Sequence, residues 1–403
     1  MLCLIVNMIK LFNKKTECCG CELCSFVCPM KIIFMEEDEE GFFYPKIVEP
    51  EKCIECHRCE QVCPEKVCFQ SPRQIIAVHT GYVKQDNEIK KSASGGIATA
   101  ISQGFVLGNG IVYGVRYSKD FSEVYYSRAE TLLELEMFRT SKYCSSKKND
   151  IFQKVLTDLR DGHRVLFVGL PCEIAALHNL VRDKDDNLYT IELVCHGVTS
   201  PRVQKEVVAN LCLQRGDFEM QEFSVRYKKE GWKPYFIFAK FGSSENFITP
   251  FRTSDYGVAF HYLKRPACNH CRFKYSDDTY GLQADITLGD NHGVRSDDPS
   301  YNHWGSSVVF VHSEKGKELL SDCEGFINLF DATVSKVGHN RALYEAIPAR
   351  INRANFSKIF RKKGLEAACS SVGVKLIDWW IFSWLAVKRK LSVIKCFVTG
   401  VYK

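Results

Sequence analysis

Two short segments near the start of the chain carry four cysteines each, at the same spacing and each followed by proline. Both read C-x2-C-x2-C-x3-C-P, in the stretches CCGCELCSFVCP (residues 18–29) and CIECHRCEQVCP (residues 53–64). Three thiolates two residues apart can wrap a tight loop around one face of an iron–sulfur cube. The fourth cysteine lies on the outgoing helix and points toward the other cube. The spacing therefore predicts two 4Fe-4S clusters that exchange their fourth ligands.

This spacing is the one found in bacterial-type ferredoxins, and it assigns all eight ligands. The first cluster would take Cys18, Cys21, Cys24 and Cys63, and the second would take Cys53, Cys56, Cys59 and Cys28. Zinc ribbons are the alternative, but they use two C-x2-C pairs that lie far apart in the sequence. Cys19 and Cys68 fall outside the pattern, and we interpret them as buried or incidental thiols.

The residues around these cysteines predict a small domain of their own. The stretch IIFMEEDEEGFFYPKI between the two runs predicts an apolar hairpin with its turn at Asp38 to Gly41. The two halves then form an internal repeat, and residues 1–75 are predicted to be an α+β, ferredoxin-like N-terminal domain. Such a domain needs only a small part of a 403-residue chain. It is therefore expected to pass electrons to a larger domain formed by the remaining residues.

Composition narrows the possible partners and the compartment. Apolar residues make up 45% of the chain and charged residues 25%, which is typical of globular proteins. The net charge is only +6 and no arginine-rich or lysine-rich block occurs, so nucleic acid is not expected as a partner. No secretory signal is convincing. Thiols used as ligands fit a reducing compartment, so a cytoplasmic location is expected.

The sequence beyond residue 76 alternates predicted strands and helices. A helix from Gly95 to about Leu107, a strand at 111–117, a helix at about 150–160 and the apolar strand RVLFVG come in turn. A helix at LPCEIAALHNL, the strand YTIELVC, and a helix that Ser200 caps then follow. This order predicts an α/β domain with a mostly parallel sheet. Residues 71–90 are interpreted as a connector into it.

Four more cysteines could meet at one edge of that sheet. Cys172 and Cys195 follow two predicted strands, where parallel sheets bind ligands. Cys268 and Cys271 form a later C-x2-C pair. The four could share one metal centre, but spacing alone leaves a structural zinc site and unrelated core cysteines as equal alternatives.

The order of several motifs resembles one family. The motifs SASGGI, RTSKYCSS, GLPCEIAAL, LVCHGVTSP and CNHCRFKYSDDTYGLQADITLGD, within residues 15–345, are similar to the beta subunit of coenzyme F420-reducing hydrogenase and its relatives. The resemblance implies an FAD and iron–sulfur oxidoreductase over residues 76–345. It implies a third 4Fe-4S cluster on Cys172, Cys195, Cys268 and Cys271. The flavin-binding residues that it implies are Ser92, Ser94, Gly95, Gly96, Thr140, Ser141, Lys142, Tyr143, Ser145 and Ser146.

The resemblance also implies a direction of electron flow. Electrons from a redox donor protein such as a ferredoxin would pass through the clusters to FAD and on to a small-molecule acceptor that the sequence does not identify. His196 and Lys142 are the candidate catalytic proton carriers, with His292 a lesser one. Relatives in bacterial surface-polysaccharide gene clusters suggest a sugar-linked acceptor. The alternative is a non-catalytic electron-transfer subunit that reduces a partner protein.

Two features of this chain fall outside the family pattern. Arg139 stands where glycine is usual before the SKY motif. Residues 346–403 are predicted to be a C-terminal helical extension, in which tryptophans precede a basic cluster in LIDWWIFSWLAVKRK. That segment predicts either peripheral contact with the inner face of a membrane or packing against the core or a second copy in a homo-oligomer.

Overall fold

The computed structural model describes residues 9–372 except 70, 183–185, 244 and 277–278. The strands in this part of the chain are β1 (Ile33–Glu37), β2 (Phe43–Ile47), β3 (Ala77–Val83), β4 (Ile111–Tyr117), β5 (Val124–Ala129), β6 (Val165–Gly169), β7 (Leu188–Leu193), β8 (Met220–Tyr227), β9 (Phe236–Phe241), β10 (Phe247–Pro250), β11 (Ile286–Asp290), β12 (Ser307–Val311) and β13 (Ile327–Asp331). The α-helices are α1 (Leu23–Val27), α2 (Arg58–Gln61), α3 (Asp86–Lys90), α4 (Ile97–Leu107), α5 (Leu132–Leu135), α6 (Ile151–Arg160), α7 (Pro171–Val181), α8 (Pro201–Arg215), α9 (Asp255–Tyr262), α10 (Glu314–Ser321), α11 (Val334–Val337), α12 (Arg341–Tyr344) and α13 (Arg353–Ser371).

The N-terminal unit has the predicted hairpin and two short helices. Strands β1 and β2 pair antiparallel, and α1 and α2 follow the two cysteine loops. Asp38 closes the hairpin turn because its Oδ1 accepts hydrogen bonds from the backbone N–H groups of Glu40 and Phe42, both at 2.9 Å. The predicted turn at residues 38–41 is therefore confirmed.

An eight-stranded sheet forms the centre of the remaining chain, in the order β13-β3-β12-β11-β7-β6-β4-β5. The four middle strands β11, β7, β6 and β4 run parallel, and the outer pairs are antiparallel. Helices α4 and α10 cover one face, while α6 and α7 cover the other together with apolar residues of the N-terminal unit. Both faces of the parallel strands are thereby buried, as such strands require. The predicted fold class is confirmed.

A smaller antiparallel sheet lies beside the large one, in the order β10-β9-β8. It packs with α8, α9 and α13 around a second apolar core that includes Phe223, Phe356 and Phe360. Helix α8 begins after Ser200, whose side chain accepts from the Arg202 N–H, with Pro201 in the first turn. The predicted cap of this helix is confirmed.

The N-terminal unit is held against the rest of the chain by two arginines, of which Arg265 is buried and Arg353 is partly buried. The Arg265 side chain is 1% exposed and donates to the carbonyl oxygens of Cys18 (3.4 Å) and Phe43 (3.1 Å). The Arg353 guanidinium binds both oxygens of the Glu40 carboxylate, at 3.0 and 2.7 Å. Ser357 on α13 also donates to Glu40. These contacts fix the hairpin against α13 and the segment before Cys268.

One region differs from its sequence prediction, and the prediction for a second region concerns residues that the structure does not describe. Residues 71–90 are not only a connector, since β3 within them lies between β13 and β12 in the large sheet. Its partner strands lie more than two hundred residues away in the sequence, so the local sequence does not predict this pairing. The segment LIDWWIFSWLAVKRK, on which the predicted membrane contact depends, lies outside the described residues. Within the described part of the chain, none of the helices combines the length and apolar character that crossing a membrane requires.

Three cysteine groups and an adjoining cavity

The twelve predicted cysteine ligands fall into three groups of four, which we call the first, second and third cysteine groups. Among the described residues, no three Cys, His, Asp or Glu side chains are arranged around the position of a single metal ion. The groups are therefore defined by shared surroundings and mutual electrostatic influence. The described cysteines are all free thiols.

The first cysteine group brings Cys18, Cys21 and Cys24 together with Cys63 from the second run. Burial raises the pKa of the Cys24 thiol, and the three other thiols of the group add to the shift. Burial likewise raises the pKa of Cys18 to about 12, and Cys21 and Cys63 contribute. Thiols that influence one another this strongly lie close together. Cys63 of the second run therefore lies near the cysteines of the first run, and the exchange of the fourth ligand stays a prediction.

The second cysteine group lies at the outer end of the N-terminal unit. Cys28, Cys53, Cys56 and Cys59 line one small apolar pocket together with isoleucines of the hairpin and its flanks. Burial raises the pKa of Cys59 to about 11. Cys56 is exposed, and so are the apolar side chains of Ile54 (60%) and Phe34 (54%). This group is therefore open to solvent at Cys56.

The third cysteine group lies where the parallel strands end. Cys172 stands in the first turn of α7 directly after β6, and Cys195 follows β7. Cys268 and Cys271 come from the loop after α9, and all four line one small cavity. Burial raises the pKa of Cys268 to about 12, with Cys195 and Cys271 contributing. The long-range convergence that spacing alone left open is present in the structure.

Positive charge surrounds the third group. The Lys274 ammonium is buried and donates to the carbonyl oxygens of Cys195 (2.9 Å) and Ala342 (2.7 Å). The Lys264 side chain is also buried: burial lowers its pKa, while Cys195 and Cys268 act to raise it. Because four cluster-bound thiolates carry net negative charge, these cations fit a thiolate-ligated centre.

Gly197 permits the close approach of two loops at this centre. Its φ is +99°, and a Cβ there would lie 2.9 Å from the Cβ of Cys268. Its backbone N–H donates to the Cys195 sulfur at 3.2 Å. Hydrogen bonds to ligand sulfurs are among the features that tune iron–sulfur centres. The residues present therefore fit a 4Fe-4S cluster.

A large cavity of about 890 Å³ adjoins the third group. Glu173, Cys195, His196, Gly197 and Val198 line both spaces, so a single layer of residues separates them. Of the predicted flavin-binding residues, those that line the large cavity are Ser92, Ser94, Gly96, Thr140, Ser141, Lys142, Tyr143 and Ser146.

Two predicted flavin-binding residues lie elsewhere. Gly95 packs beneath its loop, where its N–H donates to Ser307 Oγ at 3.0 Å and a Cβ would lie 2.4 Å from the Gly81 oxygen. Ser145 lines the cavity of the third group. The Gly95 N–H is therefore already bonded within the protein, and Gly95 does not line the large cavity.

One end of the large cavity suits an anion. Helix α4 begins there after Gly96, whose φ is +83°, and no side chain caps the helix. The N–H groups of such a first turn attract negative charge. Arg139 lines the same cavity, and its Nη1 is buried without a hydrogen-bond partner, while its Nη2 pairs with Glu88 and Glu136. An unpartnered buried guanidinium nitrogen points to a ligand that accepts a hydrogen bond.

The predicted proton carriers stand in different surroundings. Burial lowers the pKa of His196 to about 4, with Lys264 and Lys274 contributing, so this imidazole is neutral at pH 7 and would hold an added proton only weakly. Burial lowers the pKa of Lys142 to about 7. Its ammonium donates to the backbone oxygens of Arg139 (2.6 Å) and Met137 (3.2 Å), and so organises its own loop.

Sequence reasoning missed three side chains at these sites. Arg226 and Asp290 form a buried ion pair at 3.0 Å on the cavity wall. Nothing local predicts this pair, since β8 and β11 carry its two members. The third is Cys19, which lines the cavity of the third group. One sequence signal pointed to Cys19, its position directly beside the predicted ligand Cys18.

Comparison with known proteins agrees with the two-part organisation. Residues 17–67 match the family model of the 4Fe-4S dicluster domain. Residues 162–332 match the model described as the C terminus of the coenzyme F420 hydrogenase/dehydrogenase beta subunit. These matches confirm the resemblance that the motifs indicate.

Among solved structures, the chain is similar to one from the xenon-derivatised F420-reducing NiFe hydrogenase complex of Methanosarcina barkeri. The sequences are 17% identical, the TM-score is 0.45, and the match covers 76% of this chain and 93% of that one. None of the curated proteins compared with the chain matches it.

Proposed function

We propose that this electron-transfer iron–sulfur protein is an FAD-dependent oxidoreductase. The proposal starts from the match of residues 17–67 to the 4Fe-4S dicluster domain and of residues 162–332 to the coenzyme F420 hydrogenase/dehydrogenase beta subunit. Electrons enter from a low-potential donor, pass through three 4Fe-4S clusters and reach FAD in the large cavity. The acceptor is a small molecule that enters the same cavity. A sugar-linked acceptor of surface-polysaccharide metabolism is the finer form of the proposal.

One observation carries this proposal: the three cysteine groups form a series that ends at the large cavity. The second group opens to the surface at Cys56, and the first group contacts the rest of the chain, through Arg265 at Cys18 and through the apolar cluster that contains Cys21. The third group shares residues with the cavity wall. A series that connects the surface with a ligand-sized cavity is what electron delivery to a bound substrate requires.

Each part of the chain has a distinct role in this scheme. FAD, when bound, accepts single electrons and delivers a pair, and that chemistry belongs to the cofactor. The first turn of α4 and Arg139 would hold its phosphates. Neutral His196, between the third group and the cavity, would accept or relay a proton. The buried core around the third group excludes water.

A redox donor protein such as a ferredoxin would contact the surface at the second group. The exposed apolar side chain of Ile54 lines the pocket of the second group. Small redox encounters need little buried area, so a modest apolar patch is sufficient. Because cluster-bearing thiols need a reducing environment, a cytoplasmic location is part of the proposal.

Anaerobic purification with iron, sulfide and flavin analysis tests the cofactor content. Three cubes correspond to about twelve irons per chain, together with one FAD. About eight irons would remove the third cluster, and zinc without flavin would refute the proposal. Turnover of candidate acceptors by isolated protein with reduced ferredoxin then separates an enzyme from a non-catalytic electron-transfer subunit, which would reduce only a partner protein.

The substitution Arg139→Met tests how the cavity holds its anion. We expect flavin to bind about 10- to 100-fold more weakly, since a hydrogen bond to a charged group contributes about 1.5–3 kcal/mol. Flavin retained after gel filtration and fluorescence titration measure the effect. Glu136→Gln is the control, because it removes an ion-pair partner of Arg139 and leaves Nη1 in place. Equal flavin affinity in Arg139→Met and wild type would exclude Arg139 from the flavin site.

A further inference from the structure

The charged side chains on the wall of the large cavity are mostly basic. Those that line it are Arg139, Lys142, Glu173, Arg226, Lys233, Arg252, Asp290 and Arg350. Both carboxylates already have cationic partners, since Glu173 lies 2.7 Å from Lys148 and Asp290 lies 3.0 Å from Arg226. Positive charge therefore remains on the wall, and a cavity lined by one sign of charge attracts ligands of the other sign.

Arg226 on β8 has a buried donor that no group of the protein uses. The residue is 6% exposed, its Nη1 donates to Asp290 Oδ1 at 3.3 Å, and its guanidinium carbon lies 4.7 Å from the centre of the Tyr235 ring. Its Nε atom is buried without a hydrogen-bond partner. Because Arg226 lines the large cavity, this unused donor points to a ligand that accepts a hydrogen bond there.

Two further cations stand where the cavity meets the solvent. Lys233, in the loop between β8 and β9, and Arg350, shortly before α13, are exposed and also line the cavity. The Lys233 ammonium lies 3.0 Å from His292 Nδ1. Within the part of the chain that the structure describes, neither cation forms an ion pair with a carboxylate. Both charges are therefore available to attract an anion to the cavity.

These cations and the predicted flavin residues come from different elements. Arg226 and Lys233 belong to the small sheet and its first loop, whereas Arg139 and the segment 140–146 lie between α5 and α6. The proposed function assigns the flavin phosphates to the first turn of α4 and to Arg139. The unpartnered Nε of Arg226 is then left for a second anionic group in the same cavity.

We propose that the small-molecule acceptor carries an oxyanion group, a carboxylate or a phosphate, and that Arg226 binds this group. Lys233 and Arg350 attract it to the cavity. This inference rests on the proposed function, because it requires the acceptor and the flavin to share the cavity. A guanidinium matches carboxylates and phosphates alike through its paired donors, so the test includes one probe of each kind.

The test measures the binding of inorganic pyrophosphate and of succinate to the full-length, flavin-loaded protein, prepared without oxygen. Isothermal titration calorimetry at low ionic strength gives each Kd. We expect at least one probe to bind to wild type, with a Kd that rises when NaCl is added. Lys233→Gln/Arg350→Gln should weaken binding about 2- to 30-fold, the range that two exposed ion pairs give.

Two more variants complete the set. Arg226→Lys should weaken binding about 10-fold or more, because lysine keeps the charge but lacks Nε and the planar arrangement of donors. The control is Lys240→Gln, which removes an exposed lysine of β9 that does not line the cavity and should match wild type. Flavin content and flavin reduction by dithionite are measured in every preparation.

The outcomes separate the inference from the proposed function. Binding of pyrophosphate alone identifies a phosphate, and binding of succinate alone identifies a carboxylate. Wild-type protein that retains its flavin and binds neither probe would overturn the inference. Unchanged affinity in Arg226→Lys or in the double variant would overturn the role of the residues changed, and loss of flavin from Arg226→Lys would assign Arg226 to the flavin instead. Wild-type protein without flavin would refute the proposed function itself.

Discussion

Replacing Cys195 with alanine is expected to remove about four irons per chain and to stop reduction of the flavin by the clusters. Cys195 follows β7 and lines both the cavity of the third group and the large cavity. Loss of residues that only support a metal ligand typically costs 10- to 100-fold in affinity or activity, so loss of the ligand should slow flavin reduction by more than about 100-fold. Iron analysis and stopped-flow reduction by dithionite measure the two effects.

Flavin binding distinguishes loss of the third cluster from misfolding of the variant. The predicted flavin residues lie mainly on the loop before α4 and on the segment 140–146, so Cys195→Ala should retain its flavin. Cys323→Ala is the control, because Cys323 is a buried cysteine that packs in the apolar core near α4 and α10 and lines neither cavity. If Cys195→Ala kept all its irons and normal flavin reduction, the third group would not be a cluster site.

Replacing Lys148 with methionine is expected to destabilise the protein by about 3–5 kcal/mol, because it leaves a buried carboxylate without its partner. The Lys148 ammonium lies 2.7 Å from the Glu173 carboxylate, and both side chains are less than a tenth exposed. The same carboxylate accepts hydrogen bonds from the Tyr126 hydroxyl (2.6 Å) and the Leu170 N–H (2.9 Å). A shift in the midpoint of anaerobic urea unfolding, followed by circular dichroism, measures the loss.

Two further variants identify the cause. In Lys148→Met/Glu173→Gln the amide oxygen can still accept from Tyr126 and Leu170, and no charge is left unpaired, so part of the lost stability should return. Lys317→Met removes an exposed ion pair with Glu314 and should change the stability by less than about 1 kcal/mol. If the double variant were no more stable than Lys148→Met, the unpaired charge would not be the cause.

The same pair predicts how stability depends on pH. Burial acts to raise the pKa of Glu173, but Lys148 outweighs it and holds the pKa below its usual value of 4.5. Burial acts to lower the pKa of Lys148, but the carboxylates outweigh it and raise the pKa above 10.5. The contribution of the pair is therefore complete between these two values. It is lost as the pH falls through the Glu173 pKa or rises through the Lys148 pKa.

Local patterns in the sequence predicted much of this fold. The cysteine runs determine the loops of the N-terminal unit, and the hairpin turn follows from Asp38 and its hydrogen bonds. The apolar run at β6 and the cap at Ser200 predicted their strand and helix because each signal lies within a few residues. Strand β3 was missed for the opposite reason, since it is defined by pairing with β12 and β13 at the far end of the chain.

The candidate site shows the same limit. The meeting of Cys172 and Cys195 with Cys268 depends on strand order, and only the resemblance to a family favoured it over unrelated cysteines. Arg139 was noted as a departure from that family, but its unpartnered Nη1 depends on side-chain geometry that no sequence pattern carries. The position of Cys19 on the wall of the third group's cavity depends on how the N-terminal unit docks, and docking has no local sequence signal.

The two arginine contacts that dock the N-terminal unit have a consequence for how fast electrons could travel. Arg265 is 1% exposed, and Arg353 binds Glu40 through both terminal guanidinium nitrogens, so these contacts resist rotation of the N-terminal unit against the rest of the described chain. Electron transfer from the N-terminal unit to the third cysteine group would then occur across a fixed distance. It would not require the N-terminal unit to move as a tethered carrier. Raising the solvent viscosity with glycerol should slow the association with a donor protein. It should leave the rates of electron transfer within the chain unchanged.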